Sequence, residues 1–505
     1  MAFAVLLICP PVFAQSERPV PELVERDGRF ALMVDGAPFL ILGAQTNNSS
    51  NYPAMLHKVW PAAERMQANT VVIPVGWEQV EPQEGRFDFS FVDTLVAEAR
   101  ERDLRLVLLW FATWKNNSPA YAPEWVKLDN ARFPRVITAG GETLNSLSPH
   151  FESTLEADKK AFVALMQHLE DIDGRRTVIM VQVQNEAGTY GSARDYSDTA
   201  EGLFREEVPD ELLEDLDKTG GDWRTVFGDD ADEYFHAWHI ARYCDEIAAA
   251  GKAVYPLPMY VNVALRNPFN PGKAGTYASG GPTDNVLHVW KSAAPNIDMI
   301  SPDIYFRHHR TVTRVMDLYR RPDNALYISE IGNDQPFARY FFSALGREAI
   351  GFAPFGMDYS DYSNYPLGAE RVDDETLAHF AEVYALFAPM ARVWAKRSFE
   401  NRVWGVSEPV DTDTAPDDQW KPTAADEGTE KNYSQYLDLG NWTAEVSYGR
   451  PMFGNPPPEG NDPASGGAVI AELGPDEYLV TGLHARVSFS PSGELAGRQR
   501  IIARV

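Results

Sequence analysis

At 505 residues and 44% hydrophobic content the chain can bury a large core, and its length allows two or three structural units, although one α/β barrel alone takes more than half of it. A formal charge of −28 sets up a field that repels nucleic acid and anionic membranes, which argues against both as partners for a surface of ordinary composition.

The chain opens on MAFAVLLICPPVFAQ, an apolar run followed by Val12-Phe13-Ala14 before Gln15. This fits cleavage of a secretory signal over residues 1–14, although a basic n-region is missing. Cys9 falls inside that leader, and Ile8 stands where a lipoprotein signal wants a small residue. Only Cys244 then remains, so no intramolecular disulfide forms. An exported protein of this size without disulfides rests on its core, which suits a bacterial periplasmic or secreted enzyme. No later run is long enough to span a bilayer.

From about residue 28 to about residue 390, apolar β-rich runs alternate with helix-like segments. The expected strands are 39–44, 69–75, 104–110, 177–183, 259–265, 297–303, 325–330 and 349–355; helical spacing marks 91–102, 158–172 and 232–251. Near-continuous apolar strands between amphipathic helices predict a parallel sheet covered on its outside, and eight repeats favour a (β/α)8 barrel over residues 15–395. The alternative is a doubly wound open sheet, disfavoured because no G-x-G-x-x-G follows the first strand. An acidic stretch, 201–234, lies between strands four and five, where it is placed to wall the mouth of the barrel.

After about residue 395 short alternating strands are divided by Gly, Pro and Asp turns, which predicts an appended β-sandwich over 396–505. The acidic, Pro-containing segment 407–432 reads as a solvated loop and lacks the spacing of an EF-hand.

Two carboxylates end apolar strands. IMVQVQNEAGTYG (179–191) places Glu186 just past strand four, and NALYISEIGN places Glu330 at the end of strand seven. In a barrel of this kind the C-terminal strand ends build the active site, so both point to one pocket. Two glutamates facing one pocket suit cleavage of a glycosidic bond, which needs an acid for the departing oxygen and a nucleophile or base at the anomeric carbon. Adjacent carboxylates do not both ionise cheaply, so one stays protonated and serves as the acid. Glu186 is assigned that role and Glu330 nucleophilic attack.

These residues resemble the signature of the retaining (β/α)8 glycoside hydrolases of clan A. Segment 179–191 is similar to the acid/base segment of the family 35 β-galactosidases, and the likeness extends through GWEQVEPQEGRFDFS (76–90) and LYISEIG. The resemblance implies acid/base Glu186, nucleophile Glu330 and an Asn185 that hydrogen-bonds the sugar 2-hydroxyl. It also implies that Tyr305, after strand six, holds the nucleophile, with Asp303 a rival two residues away. Family 35 enzymes carry Glu-Asn-Glu-Tyr at the acid, whereas Gln184 and Ala187 flank the pair here. Their strand-two Trp-Asn-x-His-Glu-Pro appears as Trp77-Glu78-Gln79-Val80-Glu81-Pro82, which is closer to family 42. Segment 108–127 and the C-terminal AELGPDEYLVTGLHARVSF resemble a bacterial subgroup, filed with family 35, that has its own C-terminal β domain.

Trp77, Trp110 and Trp114 fall at or just past strands two and three, where flat rings either stack on a sugar face or pack in the core. Asn116 and Glu78 are placed to take hydroxyl hydrogen bonds, and Tyr190 either covers the acid or packs on its loop. His308 and His309 come without H-E-x-x-H or a Cys cluster, so neither a metal nor any other cofactor is expected. The expected substrate is a β-galactoside. The alternatives are another sugar handled by the same machinery (xyloside, arabinoside or galactan), or a carbohydrate-binding protein that has lost its chemistry.

Overall fold

A computed structural model of the protein describes residues 18–409, 433–449, 460–499 and 501. The expected leader (1–14), Cys9 and positions 410–432 of the acidic segment lie outside them.

Eight strands close into a parallel barrel: β1 (Ile41–Gln45), β2 (Thr70–Gly76), β3 (Arg105–Lys115), β4 (Val178–Asn185), β5 (Met259–Ala264), β6 (Met299–Ile304), β7 (Ile328–Ile331) and β8 (Gly351–Pro354). Each overlaps one of the eight expected runs, because strands covered on both faces must be apolar nearly throughout. The alternation within a strand sorts side chains into two layers. On β3, Val107, Leu109 and Phe111 face the barrel interior with Val72 and Tyr260, whereas Leu106, Leu108 and Trp110 face the surrounding helices. Helix Glu152–Ile172 shows the matching pattern, burying Asp158, Ala161, Phe162, Leu165, Met166 and Leu169 along one stripe.

The barrel's lower end is closed by an antiparallel sheet of Glu22–Arg26, Arg29–Val34 and Ala37–Phe39. Asp27-Gly28 and Asp35-Gly36 make its turns, all four residues at positive φ, the conformation of tight hairpins. Leu32 and Val34 are fully buried against the barrel's interior residues, each contributing on the order of 2 kcal/mol.

Acidic segment 201–234 does not wall the barrel mouth. Its short helices pack sideways on helix Ala231–Val254, with Phe204 and Trp223 edge-on to Phe235. Aromatic side chains hidden among the acids drive this docking, and it buries that long helix nearly all round.

Beyond the barrel lie two three-stranded antiparallel sheets. One joins β9 (Val403–Ser407), β12 (Gly467–Gly474) and β13 (Glu477–Leu483); the other joins β10 (Ser434–Asp438), β11 (Trp442–Tyr448) and β14 (Ala485–Pro491). Both sheets contribute to a shared apolar layer, in which Ile470 and Trp404 meet Ala444, Leu437 and Phe489. The first sheet rests on helix Tyr340–Leu345, which follows β7. Contact there is backbone to backbone: a Cβ on Gly405 would lie 2.3 Å from the Phe342 carbonyl oxygen. Gly405→Ala is therefore expected to cost about 1–3 kcal/mol. The check is the urea unfolding midpoint, and an unchanged midpoint would show that the sheet has slack to move away.

Candidate active site

β4 ends in an alternating kink. Gln184 (φ 64°) and Glu186 (φ 47°) both occupy the left-handed region that non-glycine residues avoid, so the strand end is strained and must be held. Four hydrogen bonds hold it. The Glu186 N–H donates to Asn262 Oδ1 at 2.8 Å. The Gln184 side chain donates through Nε2 to Asp158 Oδ2 at 2.7 Å and accepts the Trp114 backbone N–H at 3.0 Å. Gln182 Nε2 donates to the Gln184 carbonyl at 2.8 Å.

Asp158 is the anchor of this arrangement. Wholly buried, it accepts from Trp110 Nε1 (2.8 Å), Thr113 Oγ1 (2.6 Å) and Gln184 Nε2 (2.7 Å). Burial pushes its carboxyl above the ordinary range, and these donors pull it back. Asp158→Ala strands three buried donors, for an expected loss of about 3 kcal/mol or more in a denaturant titration. Turnover should fall with it, because Gln184 loses its tether. A stable, fully active variant would mean that the kink holds itself.

Glu330 projects from β7 in register with Asp303 on β6. Its carboxylate accepts from Gln45 Nε2 at 2.8 Å and from the Tyr305 hydroxyl. Asp303 accepts from Asn262 Nδ2 at 2.7 Å and from Ser329 Oγ at 3.3 Å. Oxygens of Glu186, Asp303 and Glu330 lie within 4.8 Å of one another, all buried. Such a cluster cannot carry three negative charges. Burial, then the Glu330 charge, raises Glu186 to about 7, with Lys115, Asp303 and Asn116 acting in the opposite sense. Burial and the two glutamates push Asp303 well above the ordinary carboxyl range. Protons therefore reside on Asp303 and, below neutrality, on Glu186.

The three carboxyls line a cavity of about 470 Å³ at the C-terminal end of the strands, together with Lys115, Asn116, Tyr305 and Tyr190. Of the residues singled out in the sequence, Glu186, Glu330, Asn116 and Tyr305 meet here, as do Tyr190 and Asp303. Asn185 lies one layer beneath, 1% exposed, donating from Nδ2 to Asn116 Oδ1 at 3.3 Å and accepting from Gln182 and Asn262.

The remaining candidates lie elsewhere. Trp77 is buried under the strand-two loop, donating to Glu81 Oε2 at 3.0 Å and edge-on to Trp125. Trp110 faces the helix layer against Phe162, and Trp114 is buried edge-on to Tyr243. All three are core tryptophans, Trp110 and Trp114 turned to the helix side of β3 and Trp77 opening the short helix after β2. Glu78 pairs with Lys127 at 2.9 Å and does not line the cavity. Gln45, Asn262 and Lys115 were missed, although Gln45 and Asn262 carry the signal that revealed the glutamates: a polar side chain at or near the C-terminal end of an apolar strand.

Fold and site together define an α/β-barrel protein with a carboxyl-floored pocket. Residues 57–239 match the glycoside hydrolase family 42 model described as "Beta-galactosidase", and residues 380–505 match a domain of unknown function, DUF5597. The match thus points to family 42, which Trp77–Pro82 resembled, and not to family 35. A β-galactosidase of Xanthomonas manihotis is 29% identical over 166 residues, 32% of this chain and 26% of that protein. The chain thus spans about a quarter of the curated relative it matches.

Among solved structures, a catalytic mutant of the family 42 β-galactosidase Gan42B from G. stearothermophilus superposes with a TM-score of 0.53 at 15% identity, covering 71% of this chain and 59% of that one. The β-galactosidase of Bacillus circulans sp. alkalophilus gives 0.51 at 13%, covering 71% and 60%. The β-amylase catalytic domain of Paenibacillus polymyxa gives 0.50 at 12%, covering 69% and 99%. These structures share the barrel. No helix among the described residues is long and apolar enough to cross a membrane.

Proposed function

We propose that the protein is a retaining glycoside hydrolase that removes terminal β-galactosyl residues. The observation that carries this reading is the pair Glu186 and Glu330, facing each other across one cavity from the ends of β4 and β7. One oxygen of each lies within 4.8 Å of one of the other, a close approach that favours the roughly 5–5.5 Å carboxyl spacing of retaining enzymes over the wider inverting one.

In the first step a Glu330 oxygen attacks the anomeric carbon while Glu186 gives its proton to the departing oxygen, leaving a glycosyl ester on Glu330. Glu186 then takes a proton from water, whose oxygen displaces Glu330 and restores both groups. Tyr305 and Gln45 orient the nucleophile; Asn116, held from beneath by Asn185, offers a neutral amide to the sugar hydroxyls. The family 42 match over 57–239 supports galactose as the sugar.

Release of nitrophenol from a panel of aryl β- and α-glycosides, with Glu186→Gln/Glu330→Gln as control, tests the reading. Hydrolysis of the β-galactoside by wild type alone is expected. Activity confined to another β-sugar keeps the mechanism and discards galactose, and silence across the panel removes the proposal.

A further inference from the structure

β3 ends on a cation. Lys115 stands in register with Asn185 on β4, the residue before Glu186, and among the described residues it is the only basic side chain that lines the cavity. Its place is set by a turn tied to β4. Asn116 (φ 49°) and Asn117 (φ 62°) both take the left-handed conformation, which asparagine tolerates better than most side chains. The Lys115 N–H donates to the Ser118 carbonyl at 2.8 Å, and the Asn116 N–H donates to the Asn185 carbonyl at 3.2 Å.

The side chain is held without being neutralised. Its ammonium lies 5.1 Å from the centre of the Phe111 ring and donates to Asn116 Oδ1, which also accepts from Asn185 Nδ2 at 3.3 Å. Among the described residues it forms no salt bridge, whereas Lys127 and Lys252 reach carboxylates at 2.9 and 2.7 Å. A cation kept at a carboxyl cluster by neutral partners can answer a charge that moves.

The reaction moves one. Below neutrality Glu186 and Asp303 hold protons, and the negative charge of the pocket is that of Glu330. When a Glu330 oxygen bonds the anomeric carbon, the glycosidic electron pair leaves with the departing oxygen, which takes the Glu186 proton. Glu330 is then a neutral ester and Glu186 a carboxylate.

The two glutamates are equipped differently for this exchange. Glu330 has a neutral donor at each oxygen, Gln45 and Tyr305. Glu186 has Lys115 and Asn116 beside it, and both favour its charged form. The other titratable groups that face it are Asp303 on β6, Glu330 on β7, and two tyrosines, Tyr305 and Tyr190, whose hydroxyls burial keeps neutral. No other positive charge stands against it there.

We propose that Lys115 is the counter-charge of the glycosyl-enzyme: its ammonium stabilises the Glu186 carboxylate that the first step creates and keeps it available as the base of the second. Lys115 acts through Glu186 and not on the sugar. The proposal rests on the glycosidase reading and adds to it a residue for the second step.

Two pH limits report Glu186. The alkaline limb of kcat/KM on phenyl β-galactoside marks loss of the acid's proton in the free enzyme. The acidic limb of kcat on dinitrophenyl β-galactoside, whose first step needs little acid help, marks protonation of the base in the glycosyl-enzyme. Lys115→Met removes the charge and keeps an unbranched stem, and Lys115→Arg keeps the charge. In Lys115→Met both limbs are expected to move up by about one pH unit, since loss of a nearby cation raises a carboxyl's pKa, and kcat below the acidic limb should fall about 10-fold. In Lys115→Arg both limbs should stay near their wild-type positions.

Unmoved limbs in Lys115→Met overturn the counter-charge and leave the glycosidase standing. A raised KM with unmoved limbs does the same, by making Lys115 a donor to a sugar hydroxyl. Equal loss of activity in both variants also overturns the proposal, because the shape of lysine and not its charge is then required. Wild type that hydrolyses neither substrate removes the glycosidase reading, and the proposal with it.

Discussion

Glu330→Gly is expected to lower kcat on an aryl β-galactoside by about 10⁴-fold or more, the scale seen when a covalent nucleophile is removed. The side chain is fixed at both carboxylate oxygens by Gln45 and Tyr305, so its loss leaves a cavity of its own shape beside the anomeric carbon. Added azide should occupy that space, attack the carbon and expel the phenolate, giving the α-galactosyl azide. The inverted product is diagnostic, because it places the missing nucleophile on the face opposite the leaving group. Asp303 is the rival 4.8 Å or less away, and its raised pKa leaves it protonated and a poor nucleophile. Full activity in Glu330→Gly, or azide rescue in Asp303→Gly alone, would transfer the role to Asp303.

Glu186→Gln is expected to divide substrates by leaving group. Dinitrophenyl galactoside, whose phenolate departs without help, should keep a first step near the wild-type rate, while lactose should lose about 10²–10⁴-fold, the usual worth of a positioned acid. Equal losses on both substrates would rule out an acid role. The wild-type pH profile carries the same information. An acid must hold its proton, and the Glu186 pKa is raised to about 7, so kcat/KM should be present below that pH and fall as pH rises through it. Burial and the two glutamates raise Asp303 as well, so Asp303→Asn, an isostere of the protonated acid, should leave the alkaline limb in place. A limb moved by about one unit or more would show that Asp303 carries charge there.

Much of this is legible in the amino-acid sequence. The barrel could be read because a parallel strand buried on both faces is written as an unbroken apolar run, and nothing in the molecule competes with that signal. Glu186 and Glu330 stood out for the same reason, as carboxylates that interrupt such runs at their ends. The tryptophans misled because type was weighed without parity: Trp110 shares its phase with Leu106 and Leu108, which face helices, and not with Leu109 and Phe111. The closing sheet at the barrel's lower end was legible in Asp27-Gly28 and Asp35-Gly36 but was overlooked beside the stronger apolar runs. The Tyr362–Tyr365 wall of the cavity was not legible. It lies in a loop with no periodicity, and its place over the pocket depends on ties to Asn333 and Arg307 that only the fold brings near.

The seam between barrel and C-terminal sheets bears on how such a chain can be inherited. Helix Tyr340–Leu345 hangs from the strand that carries Glu330, and it meets β9 so closely at Gly346 and Gly405 that only hydrogen side chains fit at either position. Arg339 Nε donates across the seam to the Glu408 carbonyl at 3.0 Å. The DUF5597 match begins at residue 380, inside the barrel helix Asp374–Phe387, so its boundary cuts a helix in two. A recombination event at that point would deliver half a helix and a mismatched seam. Swapping tails between homologous chains should therefore succeed only when both glycines, and the helix they clasp, travel together as one heritable block.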